Sequence, residues 1–275
     1  MLIDIKVKNK IIDCITFFNE NLQFELRFNI LKNFVSSFLI CESIYDHRGN
    51  KKPINFLKNK YKKYEDKIKH IILYDKFPSN NNPWNNQAIQ RDYIQNHLRE
   101  FDKDDLIMFS DPDEIPNPNI LKNLILKKKY GIFMMDCFNY KFNLFNSYES
   151  PWEGTRVVKK KDLKSIDFMR QKVKAKNLKY NFLRFDKERN IEIFENGGWH
   201  FNNIMSPSEI SLKLRTFAHT EYSDIKFSSI DVIKKKIKDR VDLFDRGHIY
   251  KVVDLHNKFP KDIVDNLIKF KEHII

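Results

Sequence analysis

The sequence predicts an α/β protein with a mainly parallel central sheet, flanked by helices and closed by a helical C-terminal segment. Three observations carry this. Short apolar runs alternate with segments that suit helices across the first 110 residues, the pattern of a parallel sheet with crossover helices. Polar or acidic residues follow each apolar run at its C-terminal end, where such sheets bind ligands. The last part of the chain reads as helices alone. The expected organisation is an α/β body over residues 1–225 with a helical extension, 226–275, packed on the same body.

Ile11 to Phe18 reads as the first buried strand, with Asn19-Glu20 at its end. Leu22 to Leu31 alternates as a strand would, but Leu22, Leu26, Phe28 and Leu31 also fit a helix, and the apolar run that follows at once favours the helix. That run, Phe34 to Cys41, ends in Glu42-Ser43. Asn59 to Lys69 is basic, and His70 to Tyr74 is a third strand. Asn86 to Arg99 reads as a helix with Ile89, Tyr93, Ile94 and Leu98 on its apolar stripe. Arg91 on another side is either a surface arginine or a phosphate contact.

Leu106-Ile107-Met108-Phe109 is a short buried strand running into Ser110-Asp111-Pro112-Asp113-Glu114-Ile115-Pro116, where three carboxylates fall within four positions. Pro112 and Pro116 rule out a continued strand or a helix interior there. Two like charges about 4 Å apart repel by roughly 4 kcal/mol at an effective dielectric near 20. A divalent cation removes that cost, and oxygen ligands suit Mg²⁺ or Mn²⁺. The stretch reads as a metal site serving a phosphate-bearing ligand, against the plainer reading of a solvated acidic loop.

Asn119 to Lys129 is expected to be a helix and Gly131 to Phe138 a strand. Asn139 to Gly154 is aromatic and polar at once, which suits stacking on a sugar or base and suits a mixed core equally well. Asn196-Gly197-Gly198-Trp199-His200-Phe201 contains two of only six glycines, implying a tight turn or a close backbone approach. His200 there is a candidate metal or phosphate contact. Ser206-Pro207-Ser208-Glu209 has the form of a capping box with proline at the first helical position. Ile230 to Val241 and Lys261 to Phe270 read as further helices.

The net charge of +13 favours anionic partners: a nucleotide, a nucleic acid or an anionic membrane surface. Cys14, Cys41 and Cys137 follow no metal-ligand spacing and read as buried thiols in a reducing compartment. No run of eighteen apolar residues and no signal-peptide pattern is present, so a soluble, cytoplasmic chain without a transmembrane segment is expected. The Lys, Asn, Ile and Phe content suggests an AT-rich genome, bacterial or viral. A viral source would place the chain in the host cytoplasm or the virion.

These segments together resemble glycosyltransferase family 17. The matching stretches are Asp13-Cys14 through Phe17-Phe18-Asn19-Glu20 with Glu25-Leu26-Arg27, Phe38 to Ser43, Gln90-Arg91, Ser110 to Pro116 and Gly197 to Phe201, over residues 11–221. The resemblance implies a GT-A fold, a nucleotide-sugar donor that is UDP-GlcNAc by analogy, a glycan or glycoconjugate acceptor, Mn²⁺ or Mg²⁺, and inversion at the anomeric carbon. Asp111 and Asp113 resemble the two acids of an Asp-x-Asp motif that holds the metal against the donor diphosphate. Asn19, Glu20 and Arg91 resemble donor-site residues, and Trp199 and His200 the late site segment.

Direct displacement at the sugar C1 needs a carboxylate to take the acceptor proton. Glu153 is the first choice, Asp136 the second and Glu221 the third. A basic nucleic-acid-binding protein or metal-dependent nuclease is the main alternative, disfavoured because the lysines are spread over many segments and no nucleic-acid-binding motif is present. A transferase-like protein that binds nucleotide sugar without turnover is the other.

Overall fold

A computed structural model of the chain describes residues 9–78, 82–181, 183–217, 222–255 and 259–275. The elements run β1 (Ile11–Phe17), α1 (Asn21–Leu31), β2 (Ser37–Ser43), β3 (Ile68–Leu73), α2 (Pro83–Tyr93), β4 (Leu106–Ser110), β5 (Glu114–Pro116), α3 (Pro118–Leu121) and β6 (Tyr130–Asn139). They continue as β7 (Leu144–Phe145), β8 (Trp152–Lys159), α4 (Ile166–Lys172), β9 (Ile191–Asn202), α5 (Pro207–Thr216), α6 (Ile225–Ser228), α7 (Ile230–Asp239), β10 (Lys251–Val252) and α8 (Lys261–Val264). The α/β class is the expected one. No helix among the described residues is long and apolar enough to cross a membrane.

The sheet has two halves. β3, β2, β1 and β4 lie side by side and parallel. β8 pairs antiparallel with β4, and β6 antiparallel with β8. β6 also pairs in parallel with β9, which takes β5 as an antiparallel neighbour. Alternate residues of the parallel strands feed opposite layers, which is why these runs are apolar throughout. On β1, Ile11 and Ile15 join Phe24, Phe28 and Phe38 on one face. Ile12 and Cys14 join Leu39, Phe109, Ile94 and Met169 on the other. A third cluster, with Tyr140, Leu144, Ile210, Leu214, Ile233 and Tyr250, seats α5 and α7 against the loop after β6.

The β5–β9 ladder joins the two stretches that stood out in the sequence. Glu114 lies opposite His200, Ile115 opposite Trp199 and Pro116 opposite Gly198, and the Phe201 amide donates to Asp113 O at 2.8 Å. The adjacent glycines are needed for this approach. Gly198 has φ +138°, and a Cβ on it would sit 2.1 Å from Ile115 O. A Cβ on Gly197 would sit 2.6 Å from Met134 N.

Several boundaries differ from expectation for physical reasons. The helix expected over Asn119–Lys129 is the single turn α3, because Leu124 and Leu126 are buried while Ile125 between them is 75% exposed, a period of two rather than 3.6. The helix expected over Asn86–Arg99 starts earlier, on an Asn82 cap with Pro83 at its first position, and tightens into a 3₁₀ turn at Ile94–His97. The helix expected over Lys261–Phe270 is α8 followed by turns. β2 is displaced so that Glu42 lies inside it, fully buried. Glu42 accepts from Lys52 Nζ at 2.9 Å and from the Asn55 and Phe56 amides, and contacts His70 Nε2 at 3.1 Å. It anchors the 52–56 loop rather than facing a ligand.

Candidate active-site cleft

A buried ion pair sets the position of the acidic strand end. Arg27 of α1, fully buried, donates from Nε to Asp13 Oδ2 of β1 at 2.6 Å and from Nη2 to Ser110 Oγ at 2.8 Å, and its Nη1 donates to the carbonyl of Glu114. Ser110 in turn shares a 2.6 Å hydrogen bond with Thr155 of β8. One guanidinium therefore clamps β1, β4, β5 and α1 together, a planar multidentate role that lysine cannot fill.

Beyond Ser110 the chain enters a cavity of about 810 Å³ at the C-terminal ends of the parallel strands. Asp111 receives Arg170 Nη2 at 2.5 Å and Arg91 Nη2 at 3.4 Å. Glu114 turns away from the cleft and is fully buried, bound by Arg170 Nη2 at 2.6 Å and Trp152 Nε1 at 2.7 Å, both on Oε1. Asp113 faces His200 Nε2 and Lys213 Nζ, each at 3.5 Å. Burial works against the charge on Asp113, but Lys213 and His200 outweigh it and hold the carboxyl well below the usual range.

The repulsion that suggested a divalent cation is thus already offset by side chains. Among the described residues no three His, Cys, Asp or Glu groups converge tightly enough to hold a metal unaided. Asp111 is committed to two arginines, whereas the Asp113 side chain makes two long ion-pair contacts among the described residues. Asp113 has the coordination room for an ion whose other ligands come from a bound phosphate, and the donor set fits Mn²⁺ or Mg²⁺ on that basis.

The other site residues fall into three groups, the first two expected from the sequence. Glu20, Arg91, Glu153 and His200 line the cleft. Glu20 is buried at the β1–α1 turn, where it accepts from the Phe18 and Asn19 amides at 2.9 and 3.0 Å. Burial, the dominant influence, leaves its carboxyl raised above its ordinary value. Arg91 is no surface residue: only 3% exposed, it also pairs with Asp167 at 3.0 Å. Glu153 accepts from Arg156 Nη2 at 3.1 Å and from the Ala175 amide at 3.2 Å, both on Oε2, which leaves Oε1 to accept a proton. The His200 ring stacks on Trp152 at 4.6 Å, and its Nδ1 meets the buried Cys137 thiol at 3.6 Å.

The second group lies elsewhere. Asn19 lines a smaller adjoining cavity of about 270 Å³. Trp199 points into the core cluster with Ile115 and Phe201, because its neighbour His200 takes the opposite face of β9. Asp136, opposite Trp199 on β6, is not part of the cleft wall. Glu221 lies outside the described residues.

The third group was not foreseen: Arg170, Lys174 and Lys213. Arg170 sits four residues after Ile166 and one after Met169, both fully buried, so it occupies the apolar stripe of α4. A charge in that position needs a buried counter-ion, and that is the signal by which it was findable. Lys174 forms no ion pair with any described residue. Burial, then Arg156 and Arg170, push its pKa down to about 8.

The rat beta-1,4-mannosyl-glycoprotein 4-beta-N-acetylglucosaminyltransferase is 23% identical over 243 residues, covering 78% of this chain and 44% of the rat protein. The chain therefore spans under half the length of that curated relative. Among solved structures, the 1–349 segment of S. aureus TarS matches with a TM-score of 0.37 and 12% identity, covering 84% of this chain and 71% of that one. The same segment in complex with UDP matches at 0.37 and 13%, with the same coverage. A glycosyltransferase involved in glycosylation of the major capsid of PBCV-1 matches at 0.33 and 10%, covering 68% and 82%. The model of glycosyltransferase family 17 matches residues 4–261, nearly the whole sequence, and the chain belongs to that family.

Proposed function

We propose that the chain is an inverting, GT-A-type glycosyltransferase that moves N-acetylglucosamine from UDP-GlcNAc to a hydroxyl of a glycan or glycoconjugate, with Mn²⁺ or Mg²⁺ in the site. The observation that carries this reading is the cationic surround of Asp113. Lys174, without a carboxylate partner among the described residues, and Lys213, with a long one, line the same cavity at the end of β4. Lysines without a close carboxylate among the described residues, beside an aspartate with long contacts, suit a diphosphate accompanied by a divalent ion. The cavity volume is that of a small-molecule site. The +13 charge would also attract a nucleic acid, but Lys174 and Lys213 line one cleft rather than a surface stripe. That the rat relative is an N-acetylglucosaminyltransferase by name supports GlcNAc as the sugar.

In this reading Glu153 Oε1 takes the proton of the acceptor hydroxyl as that oxygen attacks C1. The bond from C1 to the diphosphate oxygen breaks on the opposite face. The negative charge that grows on the leaving diphosphate is met by Lys174 and Lys213, with Arg91 behind them. Asp113, with Asp111 beside it, would hold a divalent ion, which would supply further positive charge at that diphosphate. Arg170 keeps Asp111 and Glu114 in place and does not touch the reacting atoms.

The test is calorimetric titration of a UDP-sugar panel, with and without Mn²⁺, into the wild type and Asp113→Asn. Metal-dependent binding of UDP-GlcNAc, lost in the variant, is expected. Absence of binding by every nucleotide sugar tried would overturn the reading.

A further inference from the structure

Part of the cleft lining, toward the Glu149 end, is not used by the donor reading. Tyr222 and Phe244 line it, their rings stacked at 3.8 Å and 27°, and neither is fully buried. The Arg246 guanidinium lies 5.3 Å from the Phe244 ring centroid. Its Nη1 pairs with Glu149 Oε1 at 2.6 Å and its Nη2 with Asp242 at 2.6 Å. Glu149 Oε2 is fixed by Asn146 at 2.9 Å. All of these groups belong to, or pack on, the half of the molecule after β6: Glu149 precedes β8, and Phe244 packs on the cluster of Tyr140 and Leu144.

The chemistry of this end differs from that around Asp113. Every charge in it is paired, so it offers no excess for a phosphate. It offers instead a stacked aromatic surface with an ordered guanidinium and carboxylate at its edge. That combination suits a neutral pyranose: the apolar ring face covers the aromatics, while adjacent hydroxyls donate to the carboxylate and accept from the guanidinium. A nucleobase is the other flat ligand in the reaction. The ends of β1 and β2 provide their own place for it, where Phe18 and His47 line the cleft around a Phe217 ring stacked on His47.

We propose that Tyr222, Phe244, Arg246 and Glu149 form the acceptor subsite, and that it takes the non-reducing sugar of a neutral glycan. The assignment rests on the transferase reading above and adds to it where the acceptor lies.

Saturation-transfer NMR tests this on the intact chain. The probes are the methyl glycosides of β-N-acetylglucosamine, α-mannose and β-galactose at millimolar concentration, with the protein saturated by UDP and Mn²⁺. At least one glycoside is expected to receive saturation from the wild type. Phe244→Ala is expected to weaken its binding roughly tenfold, the ratio for losing one stacking contact. UDP affinity should be unchanged in that variant, which also shows that the cleft has folded. Phe244→Trp, which keeps a stacking surface, should retain glycoside binding. The subsite is overturned if no glycoside binds the wild type, if Phe244→Ala binds as the wild type does, or if uridine displaces the glycoside. Failure of UDP itself to bind would instead bring down the transferase reading, so the two failures are distinguishable.

Discussion

The acidic strand end is met by two kinds of cation. Arg27 and Arg170 are buried, and each binds two or more oxygen acceptors on different strands. They hold Asp13, Asp111 and Glu114 in place. Lys174 and Lys213 stand on the cleft wall with, among the described residues, no ion-pair partner or a distant one. Charge that builds the fold is compensated inside it, because an unpaired buried carboxylate is costly. Charge meant for a ligand is left over.

This contrast breaks most sharply at Arg27. Arg27→Ala strands the Asp13 carboxylate in the core and is expected to cost about 3–5 kcal/mol of stability. Urea unfolding measures it, and a loss under about 1 kcal/mol would show that the clamp is not structural. Glu153→Gln belongs to neither set of cations and sharpens the division between binding and chemistry. Turnover should fall by about 10²- to 10⁴-fold, while calorimetry shows unaltered donor affinity; near-normal turnover would remove Glu153 as the base. Lys213→Ala should weaken UDP binding by roughly tenfold, the loss of one charge-assisted contact. Its urea midpoint should stay where it is, and a large drop in stability would move Lys213 into the structural class.

The smallest effect concerns pH. The Lys174 pKa is pushed down to about 8, so the ammonium is charged below that value and neutral above it. Donor affinity should therefore fall as pH rises through this range, by several-fold between about pH 7 and pH 9. Lys174→Met should bind more weakly at pH 7 and lose this part of the pH dependence. A wild-type profile flat across the range would separate Lys174 from the diphosphate.

Much of the parallel half was legible in the sequence because its strands are buried on both faces and announce themselves as apolar runs. The acidic cluster at the end of one such run was legible for the same reason. In the other half β6 was, as the strand expected over Gly131 to Phe138, but β8 and β9 were not. β8 carries the fully buried Arg156 at its centre, and β9 carries Glu192, Glu195 and two glycines, so neither shows a strand's pattern. The ladder between Glu114 and His200 joins residues far apart in sequence, and local spacing cannot reveal it. The face of β9 followed from that register, which is how His200 reaches Asp113 while Trp199 enters the core. The repulsion argument for a metal counted the carboxylates but not the arginines and lysines that folding brings to them.

The measurement that bears most directly on the central claim is anomalous diffraction from crystals soaked with Mn²⁺ and UDP. The account predicts one manganese peak within coordination distance of an Asp113 carboxylate oxygen, bridged to the UDP diphosphate, with Lys174 and Lys213 facing the phosphate oxygens. UDP bound in the cleft with no manganese at Asp113 would contradict it.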